Sequence, residues 1–112
     1  MLTPGRVYVN STVRIAVNFQ DDDATDVDPS TVTFKAFSPY GTTITYIYGT
    51  DAELVRSDAG DYFVDFVPDQ SGRWFYRWIS TGSGTAIALE GNFVVQATAD
   101  PTLDQNVYTA YR

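Results

Sequence analysis

Apolar residues alternate with polar ones in short runs along most of the chain. The clearest run covers residues 12–20 and places Val13, Ile15, Val17 and Phe19 on one face. Similar runs cover residues 31–37, 42–48, 61–67, 73–80 and 91–97, with a shorter one at residues 6–9. A period of two residues is typical of β-strands that are buried on one side. The pattern therefore predicts about seven strands, and residues 53–56 are expected to pair locally.

Turn-forming residues separate these runs, and no window carries a convincing apolar stripe with the helical period. The clearest turns are Pro39-Tyr40-Gly41, Asp58-Ala59-Gly60 and Asp69-Gln70-Ser71-Gly72. Many short strands without helices predict an all-β fold, a single antiparallel β-sandwich or a barrel, over residues 1–97. Residues 98–112 alternate less, contain Asp100-Pro101, and are expected to form an extended C-terminal arm.

The totals agree with one packed domain. A chain of 112 residues can close one hydrophobic core, and 44% hydrophobic residues are too many for a disordered chain. The net charge of −7 gives no basic surface for nucleic acid and disfavours anionic membranes. The sequence contains no His and no Cys, which removes disulfides, cysteine or histidine catalysis and the common zinc sites. We therefore expect no cofactor, no nucleic-acid partner and no membrane partner.

One stretch resembles a known family. Gly60-Asp61-Tyr62, followed by Pro68 and Gly72-Arg73-Trp74, is similar to the Gly-x-Tyr signature of filamin-type and related bacterial immunoglobulin-like repeats. The segment from Glu90 to Val95 looks like the closing strand of those repeats. The resemblance covers about residues 58–96 and implies an immunoglobulin-like sandwich. Trp74 stands where that family usually has Tyr.

A second resemblance concerns function. The order of Val13–Phe19, Asp28-Pro29, Pro39-Tyr40-Gly41, Gly60-x-Tyr62 and Gly72-x-Trp74 is similar to small proteins of tailed bacteriophages. The resemblance implies a virion component such as a decoration, head-fibre or neck protein. The N-terminus lacks the basic start and continuous apolar core of a secretory signal. We therefore expect a virion protein that is made in the host cytoplasm.

The loop from Asp21 to Asp28 concentrates carboxylates. Several carboxylates in one loop can hold Ca²⁺, so the candidate ligands are Asp21, Asp23, Asp26 and Asp28. The loop lacks the central Gly and the final Glu of an EF-hand, and acidic loops between strands are usually solvated. The sequence favours the solvated loop, and we expect no metal.

Two further patterns raise functional alternatives. Trp74, Tyr76 and Trp78 share one face and could form a sugar-binding platform, but their burial tendency favours the core. Asp65 and Glu90 are a candidate acid pair within strands for glycoside hydrolysis. A small sandwich rarely supplies the pocket that a general acid needs, so we expect no enzyme activity.

The residues opposite to the predicted core are more informative. If Trp74 points inward, the alternation turns Phe75, Arg77 and Ile79 outward, with Phe37 and Val94 on neighbouring strands. An apolar patch on the solvent side of a sheet indicates a contact surface. In the arm, Tyr108 and Tyr111 offer large contact area at low entropic cost. The predicted interface therefore comprises Phe37, Phe75, Arg77, Ile79, Val94, Tyr108 and Tyr111.

The sequence thus predicts a non-enzymatic structural protein of a bacteriophage virion, attached through this sheet face and its arm. Its expected partners are other virion proteins or copies of itself. One alternative is a carbohydrate-binding or adhesion module, for which a glycan would be the partner. Another is a filamin-like scaffold that captures a peptide by adding a strand to an open sheet edge.

Overall fold

The computed structural model describes residues 7–82 and 88–97, which contain eight β-strands. In chain order they are β1 (Val7–Tyr8), β2 (Val13–Asn18), β3 (Thr31–Phe37), β4 (Thr43–Ile47), β5 (Leu54–Asp58), β6 (Asp61–Phe66), β7 (Gly72–Thr81) and β8 (Ala88–Gln96). A five-stranded sheet has the order β1-β8-β7-β3-β4, and a three-stranded sheet has the order β2-β6-β5. The two sheets form the immunoglobulin-like sandwich that the sequence predicts.

Two details differ from the prediction of about seven antiparallel strands. The local pairing expected for residues 53–56 is a complete edge strand, β5, which pairs with β6 and has a register shift between Arg56 and Asp58. Its alternation is hidden because Leu54 is the one fully buried residue in it, so the strand reads as polar. The second difference is that β1 runs parallel to β8, so the sheets are not antiparallel throughout. A strand of only two residues carries no pattern from which its direction could be predicted.

The core lies between the sheets and is built from the alternate residues of each strand. Trp74 and Trp78 of β7 are 0% and 1% exposed, which confirms that this face of β7 is the inner one. Phe34 of β3 packs against Trp78 with ring centroids 4.8 Å apart, and Phe66 packs against Trp74 at 5.9 Å. Each ring buries about 150–250 Å², so aromatic burial is the main source of stability.

Two side chains fasten the corners of the sandwich. The Tyr62 hydroxyl donates to Asp28 over 3.1 Å, which ties the start of β6 to the loop before β3. Trp74, in the other Gly-x-aromatic segment, donates its indole N–H to the carbonyl of Gln70 over 2.9 Å. The indole thus supplies the polar contact that a tyrosine hydroxyl supplies at the first corner.

Asp28 is the centre of the first corner. Its carboxylate accepts two hydrogen bonds from the Arg56 guanidinium, at 3.0 and 2.9 Å, and one from the Gly60 N–H at 2.9 Å. These contacts, Arg56 above all, lower the pKa of Asp28 to about 2. The same corner raises the pKa of Tyr62 to about 12, because the ring is desolvated and its hydroxyl bonds to Asp28. The loop is thereby joined to both β5 and β6.

This pKa shift predicts an acid-dependent contribution to stability. An unfolded Asp titrates near 3.9, so the native preference for the charged form is present above about pH 4 and is lost as the pH falls through about 2. We expect Asp28→Asn to lower the melting temperature at pH 7 and the deficit to narrow progressively below pH 4. Asp22→Asn is the matched control, since Asp22 makes no hydrogen bond to the described residues. A deficit that stayed constant down to pH 2 would contradict the proposed role of the charge.

Candidate contact surface

The solvent side of the five-stranded sheet is the candidate site, and we call it the outer face. It consists of the outward-pointing residues of four strands: Thr31, Thr33, Lys35 and Phe37; Thr43, Thr45 and Ile47; Arg73, Phe75, Arg77 and Ile79; Glu90, Asn92 and Val94. Backbone pairing fixes its layout. Strand β7 lies between β3 and β8, as the sequence prediction requires.

The outer face is arranged as two apolar groups with a charged row between them. Phe37 lies directly opposite Phe75, and Val94 is a diagonal neighbour of Phe75 on β8. Four residues further along the strands from Phe75, Ile79 lies opposite Thr33, which in turn lies opposite Ile47. Strand β7 lies between β3 and β8, so the Phe75 ring lies in the middle of the sheet surface and not at its edge.

The described members of the predicted interface all lie on the outer face. Phe75 is 51% exposed and Val94 is 45% exposed, whereas Phe37 and Ile79 are half-buried. Ile47 is not among the predicted interface residues, but it is 44% exposed and extends the patch onto β4. The alternation of residues 42–48 already turned Ile47 away from Ile44 and Tyr46, but the pairing of β4 with β3 could not be known. Tyr108 and Tyr111 lie outside the described residues.

The outer face is locally cationic in an acidic protein. Lys35 and Arg77 are paired across β3 and β7, and Arg73 lies further along β7. Arg77 is within 3.5 Å of Glu90, and Arg73 donates to the side chain of Asn92 over 2.6 Å. Lys35 makes no ion pair with the residues that the structure describes. Cationic side chains therefore outnumber the one acid, Glu90, on this face.

The solvent side of the three-stranded sheet is different. There Arg14 forms a bidentate pair with Asp65, at 2.8 and 2.9 Å, and its guanidinium lies 3.9 Å above the Phe63 ring. The Arg14 contact lowers the pKa of Asp65. The exposed aromatic of this sheet is thus covered by the protein's own arginine, and Val55 on the edge strand is its main exposed apolar residue.

One edge of the larger sheet, β4, is partly blocked against an added strand, whereas at the other edge β1 pairs only with Val95 and Gln96 of β8. Strand β4 covers the edge of β3, and its even-numbered residues bond to β3, as the Tyr48 N–H to Val32 carbonyl bond of 3.0 Å indicates. At the end of β4, the outward N–H of Ile47 donates to Asp51 over 2.8 Å, and the Ile47 carbonyl accepts from Thr50. Thr43 and Thr45 are then the β4 residues with outward backbone groups unpaired in the described structure. Such blocking of an edge is a common protection against strand addition.

The acidic loop does not bring its carboxylates together. Asp21 accepts from the backbone N–H groups of Asp23 and Thr25, Asp26 accepts from Asn18 and Gln20, and Asp28 is held by Arg56. Within residues 7–82 and 88–97 no group of three or more His, Cys, Asp or Glu side chains could hold a metal ion. The candidate ligands Asp21, Asp23, Asp26 and Asp28 therefore do not form a calcium site in this arrangement.

A calcium titration tests this arrangement. We expect millimolar Ca²⁺ to change the melting temperature by no more than about 1 °C. The native loop has no preformed set of ligands, so Ca²⁺ would bind it weakly and stabilise the native state little. Mg²⁺ at the same ionic strength controls for general screening of the −7 net charge. A saturable rise with Ca²⁺ alone, abolished by Asp21→Asn, would show that the loop closes around the ion.

The structure separates the residues of the other two candidate sites. Asp65 and Glu90 lie on the solvent sides of different sheets, so they cannot act as an acid pair across one substrate bond. Trp74 and Trp78 are buried, so they cannot form a sugar-binding platform. An open depression is lined by Tyr48, Asp51 and Leu54, but Asp51 is already bonded to Ile47. Among the described residues no helix is long and apolar enough to cross a membrane.

Comparisons with known proteins bear on the fold. No protein-family model matches the chain, and no curated protein matches it significantly in sequence. The Lin-41 filamin domain is similar in structure, with a TM-score of 0.64 and 16% identity over 83% of this chain and 84% of that one. Part of the multi-modular, cell-surface-expressed chitinase ChiW from Paenibacillus sp. str. FPU-7 is also similar, with a TM-score of 0.57 and 22% identity. That match covers 80% of this chain and 8% of the chitinase. The chain therefore shares the immunoglobulin-like fold of filamin domains, and at these identities the likeness extends to the fold alone.

Proposed function

We propose that this protein is a non-enzymatic interaction module and that the outer face is its contact surface. The observation that carries the proposal is the position of Phe75, half-exposed on the central strand β7 and flanked by Phe37 and Val94. A sheet surface exposed only to water would normally carry polar residues at these positions. On the other sheet Arg14 and Asn18 point outward from β2 and Phe63 lies under Arg14, so that solvent side exposes fewer large apolar side chains, chiefly Val55.

Several observations support a binding role over catalysis. The acids Asp65 and Glu90 are on different sheets, and Arg14 favours the charged form of Asp65, which opposes a role as general acid. The chain also has no His or Cys to act as base or nucleophile. The carbohydrate-binding alternative is weakened because Trp74 and Trp78, two of its three proposed platform residues, are buried in the core. The peptide-capture alternative is limited at the β4 edge, which Asp51 closes at one end, but residues 88–94 of β8 pair only with β7 in the described structure and offer a second edge.

The finer form of the proposal is attachment to a bacteriophage virion, as a decoration, head-fibre or neck component, in a particle assembled in the host cytoplasm. Its support is the sequence resemblance to small phage proteins and the outward apolar face. Neither of the two similar structures described above is a phage protein. The partner would be another virion protein or a further copy of this chain.

Phe75→Asp tests the contact surface. Because the side chain is half-exposed, the variant should fold with a melting temperature within a few degrees of the original, as is usual for surface positions. A buried charge in an apolar contact is costly, so attachment should be lost. Val55→Asp is the matched control, since Val55 is an exposed strand residue on the other sheet. For the virion proposal the readout is the amount of each variant in purified particles. Equal incorporation of both variants would overturn the assignment of the outer face.

A further inference from the structure

The partner of the outer face can be narrowed by its charge. Of the seven Lys and Arg residues in the sequence, Lys35, Arg73 and Arg77 lie on the outer face, while Arg14 and Arg56 are held by Asp65 and Asp28 elsewhere. The face carries Glu90 as its only acid among the described residues. In a chain of net charge −7, this is the surface to which an acidic segment would be attracted.

The apolar groups add a second requirement. Phe75, Phe37 and Val94 lie on one side of the charged row, and Ile79 and Ile47 lie on the other. A partner that fits must therefore present apolar side chains on both sides of its acidic groups. The partner must also be extended, because the outer face is an open sheet surface with its side chains in rows and has no deep pocket among the described residues.

The sequence itself contains a segment with these properties. Residues 98–112 carry two acids, Asp100 and Asp104, against one base, Arg112. Asp104 has Leu103 before it and Val107, Tyr108 and Tyr111 after it, so it has apolar residues on both sides. Fifteen residues can extend about 50 Å, whereas the seven residues of β3 span roughly 23 Å, so the segment is long enough to cross the face. Residues 98–112 lie outside the described residues.

We propose that the outer face of one copy binds residues 98–112 of a second copy. This proposal rests on the proposed function and names the partner of the same surface. The two contact elements are different parts of one chain, so the association is head-to-tail, with a free face at one end and a free tail at the other. Head-to-tail contacts of this kind either add further copies in a row or close into a ring, and both arrangements occur in structural assemblies built from many copies of one chain.

Complementation between two full-length variants tests the proposal. Phe75→Asp damages the face and leaves the tail intact, whereas Tyr108→Ser/Tyr111→Ser damages the tail and leaves the face intact. We expect the unmodified chain to self-associate with rising concentration in light scattering coupled to size exclusion, and each variant alone to stay monomeric. An equimolar mixture should form a complex of twice the monomer mass and nothing larger, because it contains one working face and one working tail.

The controls and contrary outcomes are specific. Val94→Asp is a second face variant in case Phe75→Asp fails to fold, and Val55→Asp should self-associate like the unmodified chain. Higher salt should weaken the complex, since three cations take part. Self-association of the tail variant alone would overturn the proposal in favour of face-to-face contact. The proposal would also be overturned if the unmodified chain stayed monomeric and the two variants did not associate when mixed. The outer face would then bind another partner, or residues 98–112 would bind to their own chain. If no self-association were seen but Phe75→Asp still abolished attachment to the assembly, the outer face would remain the contact surface and its partner would be a different molecule.

Discussion

Replacing Trp74 by alanine is expected to lower the free energy of unfolding by about 3–5 kcal/mol. The side chain is 0% exposed, packs against Phe66 at 5.9 Å and Phe93 at 6.5 Å, and donates its N–H to Gln70. Alanine would leave a large cavity between the sheets and an unpaired backbone carbonyl. Urea unfolding followed by tryptophan fluorescence of Trp78, which remains in the variant, measures the change.

Phe75→Ala is the internal control for this experiment. The residue is adjacent to Trp74 and similarly aromatic but points to the outer face, so its loss should cost less than about 1 kcal/mol, as for typical surface positions. The contrast between neighbours tests the register of β7 directly. Equal costs at the two positions would mean that the strand is not buried on one side only.

Gly60→Ala is expected to cost at least about 2 kcal/mol, the sum of two effects that each contribute roughly 1–3 kcal/mol. Gly60 has a φ of +77°, in the left-handed region that side chains rarely adopt. An added Cβ would also lie 2.6 Å from the backbone carbonyl oxygen of Phe19. That atom cannot move freely, because the Phe19 carbonyl accepts a hydrogen bond from Val27. Thermal unfolding of the variant measures the loss.

Gly49→Ala separates the two effects. Gly49 has a φ of +91°, also left-handed, but a Cβ there would meet nothing within 4 Å. We expect this variant to show only the conformational cost, about 1 kcal/mol. A Gly60→Ala loss no larger than that of Gly49→Ala would show that the β5–β6 corner has room to yield.

Much of the sandwich follows from the sequence because its long strands alternate strictly. Trp74, Tyr76 and Trp78 fix which side of β7 is buried, and a slip of one residue would expose two tryptophans. The positions of Phe75, Ile79 and Val94 on the outer face then follow without knowledge of the structure. That part of the prediction succeeds because burial of large side chains decides the register.

The remainder depends on pairing between distant segments, which local patterns do not encode. Strand β5 has one fully buried residue, so its side chains give no period from which its full extent could be predicted beyond the local pairing expected for residues 53–56. Ile47 joins the patch only because β4 pairs with β3 in one particular register. Asp28 was a candidate calcium ligand in a loop expected to hold no metal, and its partner is Arg56, 28 residues away in sequence. A carboxylate in a loop looks the same in sequence whether its partner is a metal ion or a distant arginine.

Labelling of single cysteines tests the outer face most directly, because the natural sequence has no Cys and gives no background. The variants Lys35→Cys, Phe75→Cys and Val94→Cys report on the outer face, while Ala16→Cys and Val55→Cys report on the solvent side of the other sheet. In the free protein, at a concentration where the chain is monomeric, all five should react with a thiol reagent. In the protein bound to its partner or assembly, we predict strong protection at the first three positions and unchanged labelling at the other two. Protection of Ala16→Cys and Val55→Cys with free labelling of Phe75→Cys would contradict the account.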